Sequence, residues 1–269
     1  KYQIRLDVHP DQFCVLNSDK KEVVLNSIRI LDYNNKIFKA MNIDSKIILH
    51  VGSSIPNKEE GLKRFKENFY NLDKSIQNKL IVENDDKVYN IIDVLNLCEE
   101  LKIPMVLDYH HYICNNKKEN IDDYFDRIFA TWKDEILSPK IHFSSPKNKK
   151  NKRSHSEYID YKSFISFINR IKKYDIDVDI MLECKGKDEA LFRLIRQLKF
   201  YYFDNFLYLQ QYTFLLIALF YHIKIGQVYL YNKLCQFENN HIFLNFYNNL
   251  LYPIILFFHN HADDTQEEL

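Results

Sequence analysis

The sequence predicts an α/β chain of the (β/α)8, or TIM-barrel, type, with about six β/α units present and the first two missing. Three observations lead there. Short β-rich runs alternate with segments of helical spacing at a period of roughly thirty residues, which is how a parallel sheet is written in sequence. The runs are continuously apolar, as strands covered on both faces are. Each run ends in an imidazole or a carboxylate, and a barrel gathers its strand ends at one mouth. An open doubly wound sheet fits the same alternation and stays open at this point.

The strand runs are "QIRLDVH" (3–9), "KIILHVG" (46–52), "KLIVEND" (79–85), "IPMVLDYHH" (103–111), "PKIHFSS" (139–145) and "VDIMLECK" (178–185). Helical spacing joins Val23, Val24, Ser27, Ile28 and Leu31, then Leu62, Phe65, Phe69 and Leu72, then Ile91, Ile92, Leu95, Cys98 and Leu101. These elements place a partial barrel domain over residues 1–199. Composition changes after it: residues 200–258 hold nearly half of the Phe and Tyr of the chain and one glycine, Gly226. The stretch 206–226 approaches the length of a membrane span, but Gln210 and Gln211 interrupt it, so a span is disfavoured against an aromatic helical cap or a divergent C-terminus. Residues 259–269 read as an acidic tail. His222, His241, His259 and His261, in these last two segments, receive no role.

A chain of 269 residues, 46% of them hydrophobic, can bury a sizeable core. Lys plus Arg and Asp plus Glu both total 37, so bulk charge neither requires nor excludes a polyanionic partner, although the portion before residue 200 is mildly basic. Cys14, Cys98, Cys114, Cys184 and Cys235 form no CxxC pair, which fits reduced thiols in a cytoplasm-like compartment. The chain opens at Lys1 inside a strand-like run and without an initiator Met, so a cut N-terminus is expected.

The strand ends carry His9, His50, Glu83, Asp108 with His111, His142 and Glu183, and His155 follows in the loop after the fifth strand. Nitrogen and carboxylate donors suit Zn, Mn or Fe rather than a soft thiolate site. They exceed what one ion needs, and a cluster of two or three ions is the economical reading; two neighbouring ions activate water and steady a displaced phosphate. One strand-end histidine alone is more often a hydrogen-bonded structural residue. His110 is expected to stand behind the ligands, because neighbours on a strand face opposite ways. Lys147, Lys149, Lys150, Lys152 and Arg153 crowd the loop between His142 and His155. Such a run is commonly just solvated, yet beside a metal-lined mouth it is what a phosphate backbone would meet.

"RLDVHPDQFCVLNS", "LHVGSS", "LIVENDDKVYN", "LDYHH", "PKIHFSSP" with "RSHSEYID", and "DIMLECKGKDEAL" together resemble, in order, the signature blocks of the ultraviolet damage endonucleases, the UvsE or UVDE family, over about residues 1–198. The resemblance implies a TIM barrel related to endonuclease IV, with three divalent ions, Mn before Zn or Mg. It implies incision of ultraviolet-damaged double-stranded DNA immediately 5′ to cyclobutane pyrimidine dimers or 6-4 photoproducts, leaving a 3′-hydroxyl and a 5′-phosphate. It implies no obligate protein partner, and a cytoplasmic, nucleoid-associated location. By motif position the family's metal ligands fall on His9, His50, Glu83, Asp108, His111, His142, His155 and Glu183. Lys140 matches a lysine carboxylated in some members, which as a carbamate bridges metals; its plain reading is a surface lysine. Gln12 and Phe13 match a Gln-Tyr pair that enters the duplex at the lesion; Phe keeps the flat ring and loses the hydroxyl, and its alternative is a ring folded onto the barrel rim. The absence of two β/α units removes an upstream His ligand, so an inactive remnant of such an enzyme is a second reading. An abasic-site nuclease or a metal-dependent sugar isomerase on the same barrel is a third.

Overall fold

A computed structural model of the chain describes residues 5–201. Its frame is one parallel sheet of five strands: β1 (Ile47–His50), β2 (Leu80–Glu83), β3 (Met105–Asp108), β4 (Lys140–Phe143) and β5 (Asp179–Leu182). Their order in the sheet is their order in the chain, and every pair is parallel. Crossovers of one hand that always step the same way put every helix on one face of the sheet. That is the winding of a TIM barrel, and it removes the doubly wound alternative, whose strand order reverses midway.

The helices are α1 (Lys21–Met41), α2 (Lys58–Tyr70), α3 (Lys74–Gln77), α4 (Ile91–Leu101), α5 (Tyr109–Cys114), α6 (Phe125–Ala130) and α7 (Tyr161–Ile171), followed by α8, residues 187–201. Each long one buries the stripe its sequence sets out. In α1 this is Val24, Ser27, Leu31, Asn35 and Phe38, and in α4 Ile91, Val94, Leu95, Cys98 and Leu101. The α4 boundaries are written locally: Asn90 and Asp93 form a reciprocal capping box, and Lys102 ends the helix in the left-handed region at φ 55°.

Two corrections to the expected elements concern the ends of strands. Of the run 3–9, the described residues 5–9 contribute only Val8, which bridges Ile47 through Val8 N–H to Lys46 O (3.0 Å) and Ile48 N–H to Val8 O (2.8 Å). The run 103–111 stops as a strand at Asp108, whose carboxylate accepts from His111 N–H (2.7 Å) and starts α5. Capping by Asp is what turns the chain there. The segments 202–258 and 259–269, the stretch 206–226 and Cys235 lie outside the described residues. Among the described residues no helix is long and apolar enough to cross a membrane, and Cys14, Cys98, Cys114 and Cys184 are all free thiols.

Alternation along the strands sorts side chains between the two faces. Leu49, Val82, Leu107, Ile141 and Leu182 join the main core under the helices. Ile48, Ile81 and Val106 face the other way and pack on Trp132, whose indole N–H donates to Met105 O (2.7 Å). One pleat above this inner apolar layer stand His50, Glu83 and Asp108. Asp7, Lys46, Lys140 and Asp179 form an ionic floor with Arg5. The Arg5 guanidinium pairs with Asp7 and Asp179, each at 2.7 Å, and Lys46 Nζ lies 2.5 Å from Glu135.

Candidate metal centre and nucleic-acid interface

The site is assembled around Glu83, the last residue of β2 and 1% exposed. Four imidazoles converge on it. His9 Nε2 lies 2.9 Å from Oε2 and His50 Nε2 3.8 Å from the same oxygen, while His111 Nδ1 and His142 Nδ1 lie 3.3 and 3.2 Å from Oε1. His142 Nδ1 also stands 3.1 Å from Glu183 Oε1, and His155 Nδ1 4.0 Å from Glu183 Oε2. Register explains the convergence: His50 pairs with Glu83 across β1 and β2, and Asp108 with His142 across β3 and β4. Parallel strands in step bring the last residues of each pair to one level, and the two pairs are offset by two residues, since Glu83 stands opposite Val106.

Backbone carbonyls set the orientation of two rings. Pro10 O lies 3.2 Å from His9 Nδ1, and a carbonyl only accepts, so Nδ1 carries the hydrogen and Nε2 is left toward Glu83. Asn84 O lies 3.0 Å from His111 Nδ1. The Asn84 side chain in turn clasps the Asp108 backbone, its amide donating to Asp108 O (3.0 Å) and its oxygen accepting from Asp108 N–H (2.9 Å). Asn84 carries no ligand chemistry of its own, and the sequence reading passed over it. Its signal was a polar residue continuing directly from a buried strand end.

Charge is as concentrated as geometry. Burial pushes the Glu83 carboxyl up, but the imidazoles of His142, His50 and His111 outweigh it and hold the group well below the usual carboxylate range. Burial would lower His142, yet Glu83 and Glu183 raise it to about 10. Asp108, with burial dominant and two carboxylates nearby, is raised to about 8. Burial lowers His50.

Divalent ions fit this donor set. Ligand atoms of His9, Glu83 and His142 all lie within 4.8 Å of one another, as do those of Glu83, Asp108, His142 and Glu183. Two donors about 2.1 Å from a shared ion are at most roughly 4.2 Å apart, so modest closure suffices. Five buried polar atoms point the same way: His50 Nδ1, Glu83 Oε1, Asp108 Oδ2 and both ring nitrogens of His142 make no aligned hydrogen bond, although Glu83 Oε1 and His142 Nδ1 lie within ion-pair range of each other. Buried polar atoms are nearly always paired, and orphans gathered at one point mark a place for an ion.

Over residues 1–207 the chain matches the sequence model of a family described as UV-endonuclease UvdE. This chain belongs to that family. It is 40% identical over 200 residues to a UV DNA damage endonuclease of Bacillus cereus (strain B4264), covering 74% of this chain and 63% of the relative. It is 42% identical over 204 residues to a UV DNA damage endonuclease of Halalkalibacterium halodurans, covering 75% and 63%. Among solved structures it is similar to that described as "Crystal Structure of SacUVDE", with a TM-score of 0.66 and 38% identity, covering 72% of this chain and 65% of that one. The chain thus spans just under two thirds of the length of these relatives.

The other residues singled out from the sequence fall into three places in this UvdE chain. His9, His50, Glu83, Asp108, His111, His142 and Glu183 meet at the cluster, with His155 at its edge. Lys140 stands at the level of Asp179 in the sheet. Two residues below His142 on the same face, its Nζ pairs with the Asp7 carboxylate in the ionic floor, because an ammonium 2% exposed needs a counter-charge. Gln12 lines the mouth, a cavity of about 430 Å³ that also takes in His50, Glu83, His111, His155 and Glu183. Phe13, the next residue, is 74% exposed, and so its ring is not folded onto the rim. Its position is set by a tight turn in which Asp11 accepts from Phe13 N–H (2.8 Å). Lys147, Lys149, Lys150 and Lys152 are exposed, whereas Arg153 pairs with Asp86 at 3.5 Å. Asp86 and Lys87 also line the mouth and were not singled out in the sequence. They sit inside the block that follows Glu83, where the strand end alone drew notice.

Proposed function

We propose that this chain is a metal-dependent DNA repair endonuclease that nicks a phosphodiester immediately 5′ to ultraviolet photoproducts, cyclobutane pyrimidine dimers and 6-4 photoproducts among them. The observation that carries the reading is the convergence of imidazoles and carboxylates on Glu83, with orphaned buried donor atoms, in a chain of the UvdE family. Two or three divalent ions, Mn before Zn or Mg, would be held by His9, His50, Glu83, Asp108, His111, His142, His155 and Glu183. Bound there, such ions supply Lewis-acid stabilisation of phosphate charge and a water acidic enough to attack at neutral pH.

The protein's own residues do the rest. Lys147, Lys149, Lys150 and Lys152 are exposed on the loop that carries His155 and would meet the flanking phosphates of a duplex, each neutralised phosphate adding salt-sensitive affinity. Phe13 presents a ring able to stack on an unpaired base, worth about 1 to 3 kcal/mol, with Gln12 beside it to hydrogen-bond base edges. A damaged pair opens at lower cost, which favours lesions. Near-complete burial of Glu83, Asp108 and His142 excludes bulk water from the ligand layer. The four cysteines among the described residues, all free, agree with work in a reducing compartment beside the genome.

The test is nicking of irradiated and abasic duplexes, side by side, with Mn²⁺. The parent is expected to cut the irradiated duplex in preference, and His50→Ala and Glu183→Ala to lose cutting by more than 100-fold. Variants that cut as well as the parent would end the proposal, and preference for the abasic duplex would replace its substrate.

A further inference from the structure

The loop that carries the basic residues also delivers His155, and something must hold it over the mouth. It leaves β4 and returns as a small hairpin: Pro146 and His155 form an antiparallel bridge, Lys147 N–H donates to Ser154 O (2.7 Å), and Ser156 N–H donates to Ser145 O (2.8 Å). Its tip is a run of exposed lysines whose mutual repulsion favours an extended, detached loop. Contacts with the barrel are made at residues 152, 153 and 155, and at the base of the hairpin Ser156 O accepts from Lys185 N–H (3.0 Å). The Cys114 thiol donates to Lys152 O at 3.7 Å, the Arg153 guanidinium meets Asp86 at 3.5 Å, and Arg153 O lies 3.3 Å from His110 Nε2.

His110 is the centre of that attachment. It is 1% exposed, and its ring stands edge-on to His155 with centroids 5.3 Å apart. It belongs to the first turn of α5, which the Asp108 cap ties to the end of β3. Successive helical residues point about 100° apart, so one turn sends His111 into the cluster and His110 to the loop. Helical geometry, and not strand alternation, is what keeps His110 out of the ligand layer. Since Arg153 O only accepts, His110 Nε2 carries the hydrogen that reaches it.

We propose that His110 is a positioning residue: it clamps the 146–155 hairpin to α5, and thereby places His155 and the basic tip at the mouth. The DNA arm of the test rests on the function proposed above; the clamp itself does not. A glutamine at 110 keeps an N–H at the distance of Nε2, and a leucine does not. The experiment compares parent, His110→Gln, His110→Leu and Asp86→Asn without metal or DNA, by backbone hydrogen exchange and thermal melting. His110→Leu is expected to speed exchange at Lys147 and Ser156 about tenfold, the scale of losing one buried hydrogen bond, with Ile48 and Ile81 unchanged. His110→Gln is expected to behave like the parent, and Asp86→Asn to loosen the same two amides several-fold. Unchanged exchange in His110→Leu overturns the clamp, as does equal loosening in His110→Gln. Should His110→Leu fail to fold, unchanged exchange in Asp86→Asn overturns it instead. In the second arm, binding of an undamaged duplex is titrated against salt. His110→Leu is expected to bind several-fold more weakly, with a shallower salt dependence, because fewer lysines reach phosphates. A parent that binds no duplex defeats the DNA reading and leaves the exchange result standing.

Discussion

Glu83 touches four imidazoles, and removing its charge isolates the centre from the rest of the fold. Glu83→Gln keeps volume and hydrogen-bonding reach but not the anion. Manganese affinity measured by calorimetry is expected to fall at least about 100-fold, beyond what loss of a residue behind the ligands does. Retention of tight binding would show that Glu83 is structural. The floor gives a second test at the same scale. Asp7 is the shared counter-charge of Arg5 and Lys140, and its carboxylate also accepts from Lys46 N–H (2.8 Å). Breaking a buried ion pair by removing one partner costs about 3 to 5 kcal/mol. Asp7→Asn is expected to lose that much in urea unfolding, and Asp7→Leu with Lys140→Met to recover most of it. Failure of the double variant to recover would mean that the floor does more than compensate charge.

Among the elements, α2 shows how closely the scaffold is fitted behind the site. Its Gly61 lies against the loop that leaves His50: a Cβ there would stand 2.2 Å from Tyr89 Oη and 2.5 Å from Ser53 O. Tyr89 Oη donates to Ser53 O (2.7 Å), and Asn17 accepts from Ser53 N–H (2.7 Å), so the loop has no room to yield. Gly61→Ala gains helix propensity of about 1 kcal/mol, but overpacking of this kind costs about 1 to 3. A net loss of up to about 2 kcal/mol is expected in thermal unfolding; a net gain would show the loop to be adaptable. This restraint was not visible in the sequence, where Gly61 is an unremarked residue inside a helical stripe. The stripes themselves were visible, as Phe65 and Phe69 are buried where their spacing places them. What pattern missed were ends. Val8 and Asp108 close their elements through hydrogen bonds that depend on a neighbouring strand or on a cap, and periodicity carries neither.

For the whole molecule, the buried charges of the cluster make stability depend on pH, and the proposed ions would make it depend on metal as well. Without metal, His142 is raised to about 10 by Glu83 and Glu183 against the effect of burial, so its stabilisation is complete below about pH 6.5 and drains away as pH climbs to about 10. Asp108, raised to about 8 chiefly by burial, acts in the same direction: its folded form keeps a proton that the unfolded chain gives up near pH 3.9, and stability falls as pH rises toward 8. Glu83, held low by its imidazoles against burial, contributes above its ordinary range and loses that contribution on acidification. Between about pH 4.5 and 6.5 only Asp108 of these three groups acts, so maximal metal-free stability is expected near about pH 4 to 5. On the proposed ligand set, metal would displace the protons of His142 and Asp108, so its affinity is expected to rise with pH. The increment in melting temperature on adding Mn²⁺ is expected to be larger at pH 8.5 than at pH 6, and the reverse order would contradict the ligand assignment.

By itself the sequence determined the winding of the chain and the inventory of its mouth. Alternating strand and helix patterns specify a parallel sheet, and a strand's period of two keeps His50, Glu83 and Asp108 on the same face as the inner residues Ile48, Ile81 and Val106. Such patterns are local, so a single chain displays them. Tertiary structure alone decided which of those side chains share a centre, that Lys140 belongs to the floor with Asp7, and that His110 grips a loop more than forty residues away. Those outcomes depend on strand register, on helix rotation and on the need of each buried charge for a partner, and these act between segments that only the folded chain brings together.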